Sequence, residues 1–520
     1  MLFNSPEFLF GFLPITLFVL FIGANRHKQT ATVWLIVASL FFYAWWDIRN
    51  LPILVLSVVF NYLLSDHLIT RTTDGKPDRI ALAIGIFLNL SVLLWFKYRN
   101  FIAENLGSLF SFHMELHKLA LPLGISFFTF QQISYLVDGY RGKTSRCSPA
   151  QYAMVVTFFP HLIAGPIVRY QDVIPQFSKP GIFQFDAVRV NAGLMLFVAG
   201  LFKKMVFADS IANYSNLAFD AASQGVVLTF TEAWVGALAY TCQLYFDFSG
   251  YSDMAIGLAW IVGIRFNANF NSPYKAHSIV DFWRRWHISL SNFLRDYLYI
   301  ALGGNRVSQA RMYANLLITM LLGGLWHGAN WTFVVWGGLH GAYLVINHFW
   351  RFTLSKFGYA EQASPLPAAA SWILTFLGVV IAWVIFRADG LSVAGSILRS
   401  MSGLNGIQLP DYLEGILGFT KAWGWEFSGF TANVGIPKLY SVVGIVILLS
   451  IAFFAPNTHE WLNRWSPVID LKPSRLHGWM TRVFGEGWEP TPLWSAAGGV
   501  ALGICFLSMT RISQFIYFQF

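Results

Sequence analysis

The sequence has few charged residues: Asp, Glu, Lys and Arg together make up 12% of its 520 residues. A soluble globular domain carries about 25% charged residues, so the composition excludes an ordinary soluble protein. Hydrophobic residues account for 56% of the chain, and many lie in runs long enough to cross a bilayer. The composition therefore predicts an all-α polytopic integral membrane protein.

Cysteine is also scarce. Cys147, Cys242 and Cys505 lie far apart, which argues against a disulfide framework or a CxxC metal site. Of the 12 histidines, only His113 and His117 have HxxxH spacing, and none belongs to an HExxH motif, so we expect no dedicated metal site. The net charge of +9 comes from Lys and Arg scattered over short loops, where such residues orient the chain and meet anionic lipid headgroups. We expect contacts with membrane lipids and no nucleic-acid partner.

The chain lacks internal repeats, low-complexity tracts and a soluble domain, so residues 1–520 are interpreted as a single transmembrane domain. The first apolar run, 8–24, follows no basic segment and precedes no A-x-A-like site, so we expect it to remain as a span. Several apolar runs contain Gly or Pro, which predicts re-entrant or broken segments among about ten to thirteen membrane-embedded helices. The candidate spans lie near 8–24, 32–46, 51–65, 80–96, 119–136, 152–168, 188–208, 233–246, 252–264, 313–346, 371–387, 439–454 and 494–510.

Basic residues follow the first and third candidate spans, in loops 25–31 and 66–79, whereas residues 1–7 contain no Lys or Arg. By the positive-inside rule, these loops face the cytoplasm and the N-terminus lies on the outer side of the membrane. Lys203 and Lys204 do not fit this pattern of short loops, and we expect them at an interface.

A histidine, His327, lies inside an apolar segment, 315–346, that contains no Lys, Arg, Asp or Glu. Its ring nitrogens cannot be left unpaired in hydrocarbon, and ionisable residues at such depth commonly mark functional sites. His327 is therefore the main candidate catalytic residue. The alternative is a histidine that only bonds a neighbouring helix or lies at the interface beside Trp326 and Trp331.

The segment 281–300 contains no Gly or Pro, which predicts a continuous helix. At about 100° per residue, Arg284, His287, Ser291 and Arg295 would share one face. Such a narrow, Arg-rich face with a histidine suits a buried anionic or polar ligand. The alternative is a helix on the membrane surface with its basic residues toward lipid phosphates.

Two carboxylates, Asp247 and Asp253, lie in an apolar neighbourhood and need cationic partners. We expect the arginines of 281–300 to supply them, and we interpret both acids as structural, with an acid–base role as the alternative. His161, between turn-forming residues, and His340, on another face of a helix through His327, are interpreted as packing residues.

Two stretches, DFWRRWHISLSNFLRDYLYIALGGNR and NLLITMLLGGLWHGANWTFVVWGGLHG, resemble the core signature of the membrane-bound O-acyltransferase superfamily. Within it, the chain resembles most closely the bacterial polysaccharide-modifying branch that contains the alginate O-acetyltransferase membrane subunit. Further matching stretches are FYAWW at 42–46, LPLGISFFTFQQISYLVDGYRG at 121–142, FPHLIAGPIVRY at 159–170 and LYFDFSGYSDMAIG at 244–257.

The resemblance implies helices around a central funnel or tunnel, with a catalytic core at about 119–346. It implies that His327 and His287 are the catalytic histidines, while Trp326 and Asn330 are expected to orient them. Arg284, Arg285 and Arg295 are expected to hold the phosphates of acetyl-CoA, which would be the donor substrate rather than a permanently bound cofactor.

The same resemblance implies transfer across the bacterial inner membrane to periplasmic SGNH-type acetyltransferase partners, which esterify an exopolysaccharide, in this branch alginate. One alternative is the same chemistry on cellulose or peptidoglycan, or D-alanyl transfer to teichoic acid. Another is a polysaccharide transporter or flippase. Inverted repeats with paired broken helices would favour a transporter, and the sequence shows none.

Overall fold

The computed structural model describes residues 1–24, 27–111, 116–117, 119–358, 366–409, 411–427, 438–465, 467–469, 471, 487–509 and 515–516. Within these ranges the only strands are β1 (Gln408–Leu409) and β2 (Glu426–Phe427), which pair in parallel with Gln408 opposite Glu426. The rest of the regular structure is helical, so the predicted all-α class is confirmed. Residues 25–26 of the predicted cytoplasmic loop 25–31 lie outside the described ranges.

The apolar runs form helices because a helix satisfies its own backbone hydrogen bonds, which hydrocarbon cannot do. The first half of the chain contains α1 (Leu13–Ala24), α2 (Lys28–Ala44), α3 (Leu51–Thr73), α4 (Arg79–Leu93), α5 (Arg99–Phe110), α6 (Ile125–Tyr140), α7 (Pro149–Thr157), α8 (Phe159–Leu162), α9 (Tyr170–Val173), α10 (Ala187–Phe202), α11 (Asp209–Ser223) and α12 (Phe230–Ile261). The second half contains α13 (Ile279–Trp283), α14 (Ile288–Phe293), α15 (Gln309–His327), α16 (Trp331–Lys356), α17 (Ala368–Arg387), α18 (Leu391–Met401), α19 (Glu414–Leu417), α20 (Lys438–Phe454), α21 (Thr458–Trp461) and α22 (Pro492–Leu507).

Several helices continue through segments of different pitch. Leu94–Tyr98 is a π-helical segment that joins α4 to α5, and Lys203–Ala208 joins α10 to α11 in the same way. Such π-helical turns occur frequently at functional sites. The other π-helical segments of the described chain are Glu7–Phe12 and Leu294–Tyr299, and the 3-10 segments are Ile48–Asn50, Ile174–Ser178, Pro273–Lys275, Asp411–Leu413, Gly418–Trp423 and Asn463–Trp465.

Four helices of the described chain are long and apolar enough to cross a membrane: Ile48–Thr73, Arg79–Phe110, Ala187–Ser223 and Ala368–Arg387. Shorter apolar helices are Glu7–Gly23, Tyr440–Phe454 and Pro492–Leu507. These segments are those of a multi-pass membrane protein. The total of about ten to thirteen embedded helices stays a prediction.

Two predicted span boundaries are wrong. The candidate spans 233–246 and 252–264 form one helix, α12. The candidate span 313–346 is a hairpin of α15 and α16, broken at residues 328–330. In the first case Gly250, which lies inside α12, resembles the end of a helix when only the sequence is considered. In the second, the apolar run continues across the break, so hydropathy does not reveal it.

The predicted helix 281–300 is also wrong. The chain forms α13, bends, and then forms α14 and the π-helical segment Leu294–Tyr299. At the bend His287 has φ 42° and ψ 54°, in the left-handed region. Helical periodicity does not hold across this bend, so the predicted common face of Arg284, His287, Ser291 and Arg295 does not exist.

Glycines allow α10 and α12 to pack so closely that their backbones are in contact. A Cβ placed on Gly200 would lie 2.5 Å from the carbonyl oxygen of Gly250, and one on Gly250 would lie 2.7 Å from that of Gly200. Gly193 and Gly257 form a second pair of the same kind. Small residues are typical of such close helix contacts in membranes, so this pair of helices forms a compact centre for the bundle.

Basic loops meet at one end of the bundle, which we call the basic side. Lys28 donates to the carbonyl of Lys179, Arg79 to the hydroxyl of Tyr140, and Arg169 pairs with Asp296. Arg141, at the end of α6, also donates to the carbonyl of Asp296, so Arg79, the end of α6 and Arg169 lie together. The start of α2 is assigned to the same side because Lys179, which accepts from Lys28, follows Arg169 by ten residues. The end of α2 and the start of α6 therefore lie at the opposite side.

Candidate active site

His327 is the last residue of α15. The next residue, Gly328, is extended, with φ −166°, and ends the helix there. At 1.5 Å per residue, His327 lies roughly 27 Å from the start of α15. The imidazole is 6% exposed and meets the rings of Trp326, Trp336 and Phe386 at centroid distances of 5.0, 5.1 and 5.2 Å. A histidine is thus held in an aromatic pocket at the end of a helix.

A cavity of about 220 Å³ adjoins His327. It is also lined by Lys97, by residues 121–127 at the start of α6, and by Trp46 just after α2. Those two elements place the cavity toward the side opposite the basic side. The reactive candidate therefore lies on the wall of a cavity near that side.

His287 is completely buried and is held by Asn269. Its Nδ1 lies 3.0 Å from Asn269 Oδ1, and the carbonyl of Asn269 accepts the amide of Ile288 at 2.9 Å. A left-handed conformation costs a non-glycine residue roughly 1–2 kcal/mol. The contacts from Asn269 to both sides of the bend stabilise this conformation.

The hydrogen bonds of Asn269 assign the tautomer of His287. The amide Nδ2 of Asn269 donates to Ser252 Oγ at 3.1 Å, so its Oδ1 faces His287 and the hydroxyl of Ser289 at 2.9 Å. An oxygen only accepts, so in the neutral ring Nδ1 carries the hydrogen. Nε2 of His287 then has the lone pair and can accept a proton.

Trp326 lies between the two histidines. Its ring is 5.0 Å from that of His327 and 6.1 Å from that of His287. The structure thus brings together two residues 40 positions apart in the sequence. Asn330 lies at the N-cap of α16, where its Oδ1 accepts the amide of Thr332 at 3.0 Å and its Nδ2 donates to the carbonyl of Asp389 at 3.1 Å. It fixes the turn that follows His327.

Lys97 is a site residue that the sequence did not reveal. It belongs to the π-helical segment Leu94–Tyr98, and its Nζ donates to the carbonyls of Trp326 and His327 at 2.6 and 3.0 Å. In the sequence it follows the candidate span 80–96 and resembles an ordinary interfacial lysine. Lys97 and Phe386 both lie outside the predicted core 119–346.

The three arginines predicted to bind acetyl-CoA do not meet at the histidines. Arg285 pairs with Asp281 at 2.9 Å, and Arg295 pairs with Asp296 at 2.6 Å, while Arg284 is exposed at the bend. Burial alone would raise the pKa of the Asp296 carboxyl, but the hydrogen bonds and charges of Arg295 and Arg169 lower it below its usual value. A role in binding acetyl-CoA stays a prediction for these arginines.

The expected partners of the two buried carboxylates are wrong. Lys204 bonds Asp247 at 2.6 Å, and Lys203 bonds Asp253 at 2.6 Å. Lys204 is 1% exposed, so it lies inside the bundle and not at an interface. The prediction of a helix over 281–300 suggested that its arginines are the partners. In the structure the partners are two lysines of the π-helical segment after α10. Both carboxylates bind lysines in a structural network.

The remaining histidines of interest are packed among aromatic rings. Nδ1 of His340 accepts from Nε1 of Trp283 at 3.3 Å. His161 contacts Phe158 and Phe266. Within the described residues, no group of three or more His, Cys, Asp or Glu side chains could hold a metal ion. The candidate chemistry therefore rests on the two histidines around Trp326.

Sequence comparisons identify the family of the chain. The family model described as membrane-bound O-acyltransferase matches residues 32–386, a range that includes both histidines, Lys97 and Phe386. The chain is 43% identical to a peptidoglycan O-acetyltransferase of Helicobacter pylori over 436 residues, which cover 79% of this chain and 81% of the relative.

It is also 43% identical over 416 residues to the probable alginate O-acetylase AlgI of Azotobacter vinelandii, covering 79% of this chain and 80% of that protein. A teichoic acid D-alanyltransferase of Streptococcus thermophilus is 24% identical over 388 residues, which are 66% of this chain and 93% of the relative. With an extensive family match and relatives aligned over most of their length, this chain belongs to the membrane-bound O-acyltransferase family.

Proposed function

We propose that the protein moves acetyl groups from acetyl-CoA in the cytoplasm across the bacterial inner membrane, for O-acetylation of an exopolysaccharide, alginate. The observation that carries this proposal is the position of His327, at the buried end of α15 and on the wall of a cavity. Family membership supports acyl transfer and disfavours the transporter alternative.

The chemistry needs a base for the acceptor hydroxyl. His327 accepts the hydroxyl proton while the hydroxyl oxygen attacks the thioester carbonyl carbon. The carbon–sulfur bond then breaks, and the thiolate leaves with the proton. Histidine is suited to this role because its ordinary pKa of about 6.5 leaves it unprotonated at neutral pH.

The donor enters from the basic side in this proposal, with that side in the cytoplasm and the N-terminus in the periplasm. The loops rich in Lys and Arg support this orientation through the positive-inside rule, and cations there suit the phosphates of acetyl-CoA. Periplasmic SGNH-type acetyltransferases would take the acetyl group on the other side and esterify the polymer.

Peptidoglycan is the second candidate polymer. The relative named a peptidoglycan O-acetyltransferase is as similar, at 43% identity, as the one named an alginate O-acetylase. Transfer of D-alanine to teichoic acid is less favoured, because the relative with that name is only 24% identical.

The test is a deletion strain complemented with the wild type, with His327→Ala, and with His67→Ala as the control. His67 is an exposed histidine on α3 that pairs with Asp78, away from the cavity. Base-labile acetate is measured separately in purified exopolysaccharide and in peptidoglycan.

We expect acetate to disappear from alginate in the deletion and His327→Ala strains and to return with wild type and His67→Ala. Loss from peptidoglycan alone would move the assignment to that polymer. A deletion strain that keeps fully acetylated polymers but fails to export one of them would overturn acetyl transfer in favour of transport.

A further inference from the structure

The end of α15 creates a local problem for the backbone. A helix leaves its last carbonyls without intrahelical partners, and hydrocarbon offers none. Because α15 ends at His327, the carbonyls of its last turn need donors from elsewhere in the protein. The position of this last turn sets the position of the His327 side chain.

The π-helical segment Leu94–Tyr98 supplies those donors. Lys97 donates to the carbonyls of Trp326 and His327, and the hydroxyl of Tyr98 donates to that of Leu325 at 2.7 Å. At 1.5 Å per residue, Lys97 lies roughly 27 Å along its helix from Arg79. His327 lies the same distance from the start of α15.

The hydrogen bonds of Lys97 distinguish a positioning role from a ligand-binding one. An ammonium group has three N–H donors. Two go to the carbonyls of α15, and the third faces Ser126 Oγ at 3.4 Å. Although Lys97 lines the cavity, its donors are directed to the protein and do not point at an incoming anion.

The charge of Lys97 is balanced in an unusual way. Among the described residues, no carboxylate lies within ion-pair distance of its Nζ. The C-terminal end of a helix carries about half a negative charge, and Lys97 contacts that end of α15 directly. The lysine and the helix end therefore compensate each other at the reactive residue.

We propose that Lys97 and Tyr98 are positioning residues that hold the last turn of α15 and thereby fix the imidazole of His327 toward the cavity. This inference rests on the proposed function of His327. A misplacement of about 1 Å can cost on the order of 100-fold in rate. Lys97→Met therefore lowers kcat by roughly 10- to 100-fold and leaves KM for acetyl-CoA within about twofold.

The experiment compares purified full-length wild type with Lys97→Met, Lys97→Arg and Tyr98→Phe. The matched control is Lys275→Met, because Lys275 Nζ also donates to a carbonyl past a helix end, that of Ala455 after α20, at 2.7 Å. The readouts are kcat and KM for acetyl-CoA cleavage, the thermal midpoint, and hydrogen–deuterium exchange of residues 322–331.

We expect a lower kcat and faster exchange of residues 322–331 in Lys97→Met. Lys97→Arg should keep most of the wild-type kcat and of the wild-type protection from exchange. Tyr98→Phe should have a smaller effect on both quantities. Lys275→Met should keep both at the wild-type level. Wild-type kcat in folded Lys97→Met, or equal losses in the Met and Arg variants, would overturn the proposal.

The exchange measurement separates this inference from the proposed function. If the wild type cleaves no acetyl-CoA, the donor assignment fails, but faster exchange of the last turn of α15 in Lys97→Met still supports the positioning role. Unchanged exchange in that turn would refute the positioning role whatever the donor is.

Discussion

At the scale of single residues, the site consists of two histidines in different environments. His327 lies on a cavity, whereas His287 is completely buried behind Trp326 and held by Asn269. Direct access to the cavity favours His327 as the base for an acceptor hydroxyl. His287 is better placed to stabilise the arrangement around Trp326.

We therefore expect His327→Ala to remove nearly all transfer, because a general base contributes about 10²–10⁴-fold to the rate, and His287→Ala to lower the rate less. The measurement is acetyl release from acetyl-CoA by purified variants of equal thermal midpoint, with a periplasmic acceptor protein present. A His287→Ala variant slower than His327→Ala would reverse the two roles.

A second prediction concerns Asn269. Asn269→Leu leaves the buried Nδ1 of His287 and the hydroxyl of Ser289 without this acceptor, which costs about 1–3 kcal/mol and frees the ring to change tautomer. We expect a lower thermal midpoint and a lower rate. Asn269→Asp should keep more of both, because a carboxylate still accepts these hydrogens.

The control for Asn269 is Asn267→Leu. Asn267 bonds Asp172 at 3.2 Å and does not contact either histidine in the described hydrogen bonds. If Asn267→Leu and Asn269→Leu reduced the rate equally at the same thermal midpoint, the effect could not be assigned to the hydrogen bond between Asn269 and His287.

The sequence indicated His327 because a histidine in a long apolar run is conspicuous, although His340 lies in the same run. It did not indicate Lys97, whose acceptors lie 229 and 230 positions away and are backbone carbonyls. It also did not indicate the left-handed His287. Nothing local to 281–300 requires that bend, which depends on contacts with Asn269 from an earlier segment.

At the scale of elements, apolar runs predicted that helices exist more reliably than where they end. The break after His327 has only a weak hydropathy signal, since Asn330 is the one polar residue between the apolar and aromatic residues of α15 and α16. Gly250 lies inside α12, where it packs against Gly200 of α10, and the sequence of one segment does not show this contact. Helix ends inside this bundle are set by neighbouring helices.

The contact between α10 and α12 gives an element-scale prediction. Gly200→Leu should lower the thermal midpoint, because even a Cβ there would meet the backbone of Gly250 at 2.5 Å, and overpacking typically costs about 1–3 kcal/mol or more. Gly503→Leu on α22 is the control, since a Cβ at Gly503 meets nothing within 4 Å. Thermal midpoints are measured by fluorescence-detected size exclusion after heating. Equal midpoints for Gly200→Leu and Gly503→Leu would contradict the close contact between α10 and α12.

At the scale of the whole molecule, orientation decides which side supplies the donor. We expect a cysteine at Gln29, in a background without the three native cysteines, to react with an impermeant maleimide only after the cytoplasmic face is opened. Arg49→Cys, in the connection between α2 and α3, should react in intact spheroplasts. The opposite pattern would invert the topology and place the donor on the other face.

The capping of α15 by Lys97 also has a consequence for biosynthesis. The helix Arg79–Phe110 is made about 230 residues before the carbonyls that accept from Lys97. At about 5–20 residues per second, the interval is on the order of 10–50 s. During that time the lysine has no helix end to bind, and its long stem allows the ammonium group to reach the headgroup region. Completion of the site is therefore a late event in membrane insertion, in which the arrival of α15 draws an already inserted lysine into the protein interior.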